Sequence, residues 1–309
     1  MPGLIAHYIC GQKVLERLPK EAGLTIEAHR KLYNIGCQGG DIFFYYLAGT
    51  LRKNMRGIGG RMHKERVGRF MGMMAKEVVN LHGDERHAAF AYFSGYLTHY
   101  ALDCAVHPYV YHHAGLERTL KCAARHFQFE AAIDTLLFKN MMGKRPGDEK
   151  LWKLVEVDKK EAYGVAEVVG RVVNEVYGVD ICGGSVLSAM GSMRFLTMAM
   201  QSRKGLRKRL LAMIERLFLG TTLASNIIHT QNLDDGVDYL NEGRGVWENP
   251  WGGKHVESFA ELFELACGEA AEFIWTLWKY MENDIPLEDF LDKVGDRSFT
   301  TGLAAETLD

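Results

Sequence analysis

Apolar residues recur every three to four positions along most of the chain, and sustained apolar–polar alternation is largely absent. This periodicity predicts helices, the first from Thr25 to Tyr33, closed by the glycine-rich stretch Gly36 to Gly40. A Met-rich helix follows near 64–81, then a strongly apolar one near 85–107 that is expected to end around Pro108. Another spans about 117–141, stopped by Gly143 and Pro146, and later ones cover about 159–177, 184–201, 205–219, 255–283 and 286–293. The expected fold class is all-α. The break at 143–149 is weak, so residues 1–309 read as a single multi-helix domain. The longest irregular stretch, 230–253, is long for a compact domain and is expected to be functional or packed over something. Its Trp247 and Trp251 either line a pocket or plug the loop onto the body.

Composition changes this picture little. With 309 residues, 47% hydrophobic and 25% charged, the chain has the balance of a soluble globular protein. A net charge of -2 gives no global attraction for nucleic acid or acidic membranes. The local basic run from Arg203 to Arg209 reads as a solvated helix start, so no nucleic-acid partner is expected. The six cysteines form no CxxC pair, which argues against a zinc ribbon or thioredoxin-like site and for reduced, buried thiols. We find no signal peptide and no apolar run long enough to span a bilayer, and the expected setting is the cytoplasm.

Candidate chemistry concentrates in one place. His99, Asp103 and His107 fall at i, i+4 and i+8 inside an apolar helix, which stacks them on one face. His126 and Glu130 repeat the i, i+4 spacing on the next helix. Imidazole and carboxylate are the ligand types of zinc and related divalent ions, and such groups are costly to bury with nothing to bind. A buried His–Asp–His network that only ties helices together is the alternative. Asp41, after the glycine-rich turn, is either a helix N-cap or a carboxylate among apolar neighbours; His7 lies in an apolar segment, and His63, after Gly57-Ile-Gly-Gly-Arg-Met62, reads as a helix-entry residue or a ligand. His29, His82 and His87 lack ligand spacing and read as surface residues, while His112 and His113 lie just past the expected helix end. The chain lacks Glu-x-x-His, His-Glu-x-x-His, a His-Asp dipeptide and Gly-x-Ser-x-Gly, which excludes several metal and serine hydrolase classes.

The order His7, Asp41, His63, His99, Asp103, His107, His126, Glu130 resembles the zinc-dependent phospholipase C family, over residues 1 to about 131. That family includes bacterial phospholipases C and alpha-toxin; its distant relatives are single-strand-specific zinc nucleases. The resemblance implies a helical cleft with up to three zinc ions that cleaves phosphodiesters. Carried over, Asp41, His63, His99 and Asp103 bind the first ion, and His107, His126 and Glu130 the second. His7 and Asp103 bind the third, so that Asp103 bridges. The short gap between Asp103 and His107 looks more like that of glycosylphosphatidylinositol-specific phospholipase D. The relatives also chelate with their mature N-terminus; loss of Met1 would leave the Pro2 amine five residues before His7, the separation in the nucleases.

Clustered cations suit the chemistry because a phosphodiester is anionic and repels hydroxide. The expected activity is therefore phospholipase C-like hydrolysis by a zinc-bound hydroxide, with Asp41 and Asp103 as catalytic residues. Asp41 is expected to take the proton of the attacking water. The substrate is a phospholipid, with peripheral membrane contact, or a small phosphodiester, against an apolar wall of Phe43, Phe44 and Tyr45. Two alternatives stand beside this reading: a nuclease-like phosphodiesterase of the same metal architecture, and a non-catalytic, metal-stabilised helical binding protein.

Overall fold

The computed structural model describes residues 3–47, 55–202, 205–229, 233–234 and 236–305. Pro2, Arg203 and Lys204 lie outside them, as does part of the 230–253 stretch. Helices α1 (Leu4–Leu15), α2 (Lys20–Ala28) and α3 (Arg30–Gly36) lead into a 3₁₀ turn at Gly39–Tyr45. After α4 (Met55–Met62) and α5 (Val67–Asn80) comes the longest helix, α6 (Gly83–Ala114), and then α7 (Leu120–Met142). Helices α8 (Lys159–Tyr177), α9 (Gly183–Met200) and α10 (Leu206–Leu219) precede a 3₁₀ turn at Ala224–Ile227. A two-stranded antiparallel ribbon, β1 (Trp247–Glu248) with β2 (Lys254–His255), is followed by α11 (Phe259–Met281) and α12 (Leu287–Val294). The fold is all-α.

Helix α6 is the axle. Its 32 residues are buried on every side over most of their length, and it packs against α1, α3, α5, α7, α8 and α11. A helix apolar all round belongs in the middle of a bundle. Its neighbours start and stop where their end residues dictate. Thr119 and Asp158 cap α7 and α8 with their side chains, and Ser258 opens α11 in a reciprocal capping box with Glu261. Left-handed Gly143 and Gly178 close α7 and α8.

Three expectations are corrected. Helix α6 does not end at Pro108; it runs on to Ala114 with the proline inside. Proline removes one backbone bond, but the last turns are held from outside: the Tyr109 hydroxyl donates to Tyr239 O at 3.2 Å, and His113 stacks on Phe129 at 4.4 Å. The helix expected from Thr25 to Tyr33 is two helices, α2 and α3, broken at His29. His29 is no surface residue either. It is buried at that break, with Nδ1 at 2.8 Å from Glu161 on α8 and Nε2 at 3.4 Å from Asp84 on α6. Of the two tryptophans, Trp247 is a plug buried against Tyr109, whereas Trp251 faces a cleft.

Candidate metal centre

Close helix approach builds the site. Gly36 on α3 and Gly95 on α6 sit at their crossing: a Cβ on Gly36 would lie 2.1 Å from Tyr92 O, and one on Gly95 2.2 Å from Tyr33 O. That contact brings the 3₁₀ turn against α6 one helical turn later. Gly39, at φ 51°, leaves room for the His99 ring, which a Cβ there would meet at 2.1 Å. The glycine-rich stretch is therefore a mould for an imidazole as well as a helix stop.

His7 (α1), Asp41 (3₁₀ turn), His63 (after α4), and His99 and Asp103 (both on α6) converge in one buried inner cluster. His7 Nε2 lies 3.3 Å from Asp103 Oδ1, and His99 Nε2 lies 3.3 Å from Asp103 Oδ2. His63 Nε2 is 3.0 Å from Asp41 Oδ1 and 3.6 Å from Asp103 Oδ2. His99 Nε2 is 3.4 Å from His63 Nε2 and 3.8 Å from Asp41 Oδ1. A second, outer cluster joins His107 on α6 with His126 and Glu130 on α7. There Glu130 Oε1 stands 2.8 Å from His126 Nε2 and 3.9 Å from His107 Nε2. Asp103 Oδ2, 3.7 Å from His107 Nδ1, links the two.

Two rings are oriented from behind. His63 Nδ1 meets Gly59 O at 2.6 Å, and His107 Nδ1 donates to Phe299 O at 2.8 Å. Each carbonyl fixes the tautomer and leaves Nε2 as a lone pair aimed into its cluster, the usual arrangement behind a metal-bound histidine. The strut at Phe299 is shared, because Phe299 N and Ser298 Oγ donate to His63 O at 2.9 and 3.2 Å. Neither carbonyl was legible as a ligand support, since both are backbone atoms and one is remote in sequence.

Electrostatics favours cations. Burial pushes His7 down to about 4, holds His99 and His107 well below the ordinary imidazole value, and lowers His126. Such imidazoles are neutral and able to ligate. Burial also opposes charge on His63, but the neighbouring Asp41 and Asp103 carboxylates outweigh it and raise its pKa. Burial and the charge of Asp41 raise Asp103 well above the carboxylate range. Both Asp103 oxygens, Asp41 Oδ1 and His7 Nε2 are buried and make no hydrogen bond with a described residue. Ligand-type atoms facing one another at 3.0–3.8 Å fit a divalent cation, and the mixed N and O donors suit zinc.

The clusters meet solvent through a cleft of about 1210 Å³, lined by Asp41 and His63 from the inner set and by His107, His126 and Glu130 from the outer. Phe44, Tyr45, Tyr111 and Trp251 form apolar walls. The expected wall residue Phe43 does not belong there. Three residues per 3₁₀ turn put Asp41 and Phe44 on the cleft side and turn Phe43 into the core, fully buried. His112 and His113 stay out of both clusters; His112 Nδ1 lies 3.0 Å from Glu248 O, and His113 stacks on Phe129.

Two polar residues of the cleft were missed. Asp134, one turn beyond Glu130 on α7, accepts from Ile5 N at 3.1 Å and Ala6 N at 2.8 Å, anchoring α1 just before His7. It also holds His229 Nε2 at 2.9 Å on the cleft wall. Asp134 continues the i, i+4 series of His126 and Glu130, a signal that was available; His229 follows a 3₁₀ turn and has no spacing to betray it.

No curated protein and no solved structure matches the chain. Residues 6–174 match the family described as zinc dependent phospholipase C, a span that runs beyond the motif region to include most of α8. That match covers more than half of the sequence and all eight ligand-type residues of the two clusters, and so the chain belongs to the zinc-dependent phospholipase C family.

Proposed function

We propose that the protein is a phosphodiester hydrolase of phospholipase C type, acting at the cleft on a phospholipid or a smaller phosphodiester. The observation that carries this reading is the inner cluster, where two buried carboxylates and three imidazoles converge, with both Asp103 oxygens, Asp41 Oδ1 and His7 Nε2 left without a hydrogen bond among the described residues, and open onto an apolar-walled cleft through Asp41 and His63. Asp41, His63, His99 and Asp103 would hold one zinc ion, His107, His126 and Glu130 a second, and His7 with Asp103 a third. Zinc bound there would supply Lewis acidity and a nucleophile at neutral pH.

The chain's own residues do the rest. Asp41 reaches both the inner cluster and the cleft, which supports a role for its carboxylate in taking a proton from the attacking water. Asp103 joins the parts of the cluster and fixes their spacing. Phe44 and Tyr45 flank the entrance as a wall for the non-reacting part of the substrate. His229, steadied by Asp134, offers a further donor toward a phosphoryl oxygen from the far wall. All eight ligand types draw on one continuous core that extends from Ile5 to Phe299, which supports treating residues 1–309 as one functional domain. A cytoplasmic setting belongs to this reading, supported by six cysteines all present as free thiols.

The deciding experiment combines elemental analysis of the purified chain with hydrolysis of phosphatidylcholine and of bis-p-nitrophenyl phosphate. Zinc at two to three ions per chain with turnover that Asp103→Asn abolishes is the expected result. Folded protein that carries zinc yet hydrolyses neither substrate would overturn the enzymatic reading and favour a metal-stabilised binding protein.

A further inference from the structure

Helix α10 is inside out. Its charged residues Glu215 and Lys208 face the protein: the Glu215 carboxylate accepts from Leu223 N, Ala224 N and Ser225 Oγ at 2.9, 2.7 and 2.6 Å, and Lys208 Nζ donates to Ile228 O at 2.8 Å. Its apolar residues face out. Leu206, Leu210, Met213 and Leu217 follow at i, i+4, i+7 and i+11, which is one stripe of a helix, with Phe218 beside it. Leu206 is 72% exposed, Leu217 79% and Phe218 77%. Scattered apolar residues on a surface need no explanation, but a whole stripe does.

We propose that α10 is a membrane-docking helix that lies flat in an anionic lipid surface and sets the mouth of the cleft against it. Charge complementarity selects a lipid surface over a second copy of the chain: Arg207, Arg209 and Arg216 are exposed on the same helix, and its one carboxylate is turned inward. An apolar stripe edged by arginines is the pattern of an interfacial helix. The position fits too. Exposed Phe195 and Met198 lie near the end of α9, where Ala199 O accepts from Arg207 of α10 at 2.9 Å, and the 3₁₀ turn that anchors α10 lines the cleft. Across the cleft its rim carries exposed Leu47, Leu116 and Leu120. Among the described residues no helix is long and apolar enough to cross a membrane, so the contact is peripheral.

The inference extends the hydrolase reading by saying where the substrate lies, but its test needs no turnover, so an inert chain that docks would sink that reading alone. The full chain is sedimented with vesicles of phosphatidylcholine and with vesicles containing a quarter phosphatidylglycerol. Binding at least about tenfold tighter to the anionic vesicles is expected. Leu217→Glu with Phe218→Glu should weaken it about 100-fold or more while leaving the circular dichroism unchanged, since both side chains are exposed. Arg209→Glu with Arg216→Glu should abolish the preference for anionic vesicles. Wild-type protein that stays in the supernatant would overturn the proposal, as would variants that bind like wild type. A dimer in analytical ultracentrifugation that Leu217→Glu with Phe218→Glu splits, with no vesicle binding, would assign the stripe to a second copy and overturn it equally.

Discussion

The inner and outer clusters are built from the same residue types, on neighbouring turns, at similar burial, yet they sit in opposite electrostatic states. In the outer one, burial opposes charge on Glu130, but nearby positive charge, His126 at 2.8 Å foremost, lowers the carboxyl pKa. In the inner one, burial and the second carboxylate dominate, and Asp103 rises well above its ordinary value. One His–Glu pair can rest without a cation more readily than two carboxylates that share three imidazoles, two of which, His7 and His99, burial keeps neutral. The difference teaches that the inner cluster, with carboxylates facing one another, depends more on a compensating positive charge than the outer one does.

The largest expected effect breaks the inner cluster alone. Asp103→Asn should lose metal and lower hydrolysis by about 10³ or more, the scale of lost charge stabilisation. In chelated protein at alkaline pH, where Asp103 is forced to ionise, the sign should reverse: removing a buried charge should raise the melting temperature by about 2–4 °C. A melting temperature that falls in both states would remove the distinction between the clusters. Next comes Gly95→Ala, whose Cβ would meet Tyr33 O at 2.2 Å and force α3 from α6. A loss of about 4 kcal/mol in denaturant unfolding is expected, with the inner metals released before the outer one, because the 3₁₀ turn carries Asp41 and packs on His99 but supplies no ligand of the outer set.

The metal-free chain should also carry a pH signature. His7 is pushed down to about 4, so between its ordinary 6.5 and that value the unfolded chain binds more protons than the folded one. Stability is therefore full above 6.5 and falls as pH drops through this window, by at most about 3 kcal/mol for this one group. Asp103 acts in reverse, its stabilising proton being lost as pH rises above the carboxylate range, so the measurement belongs in chelated Asp103→Asn protein, where His7→Asn should flatten the acid limb. The smallest effect is at the outer cluster. Glu130→Gln should cost one metal ion and about 10² in hydrolysis while the inner ions stay. Elemental analysis showing the inner ions lost as well would mean the clusters bind as a unit.

Much of this was legible in the chain. The period of apolar residues located most helices, and α8 spans the residues expected of it. Helical spacing pointed to His99, Asp103 and His107 and to His126 and Glu130, because it converts i, i+4 into proximity without further information, whereas His7, Asp41 and His63 entered only through the family resemblance. What stayed hidden depended on contacts between distant segments. Pro108 signals a helix end locally, and only the packing of Tyr109 and His113 carries α6 past it. His29 carries no spacing, and its partners come from α6 and α8. The inward turn of Phe43 follows from a 3₁₀ geometry that apolar periodicity does not distinguish. The inverted face of α10 was present in the sequence as an ordinary amphipathic period, but a period does not say which side faces the protein.

The strut at Ser298 and Phe299 has a consequence for how the molecule can be divided. Every ligand-type side chain of both clusters lies before residue 131, and the family match ends at 174, so a fragment trimmed to that boundary would contain the whole inventory of the site. It would also lack the peptide that braces His63 and His107 from behind. Such a fragment would hold the donors with the His107 ring free to turn and the His63 backbone unbraced, as would the 309-residue chain if a C-terminal tag pulled that peptide away.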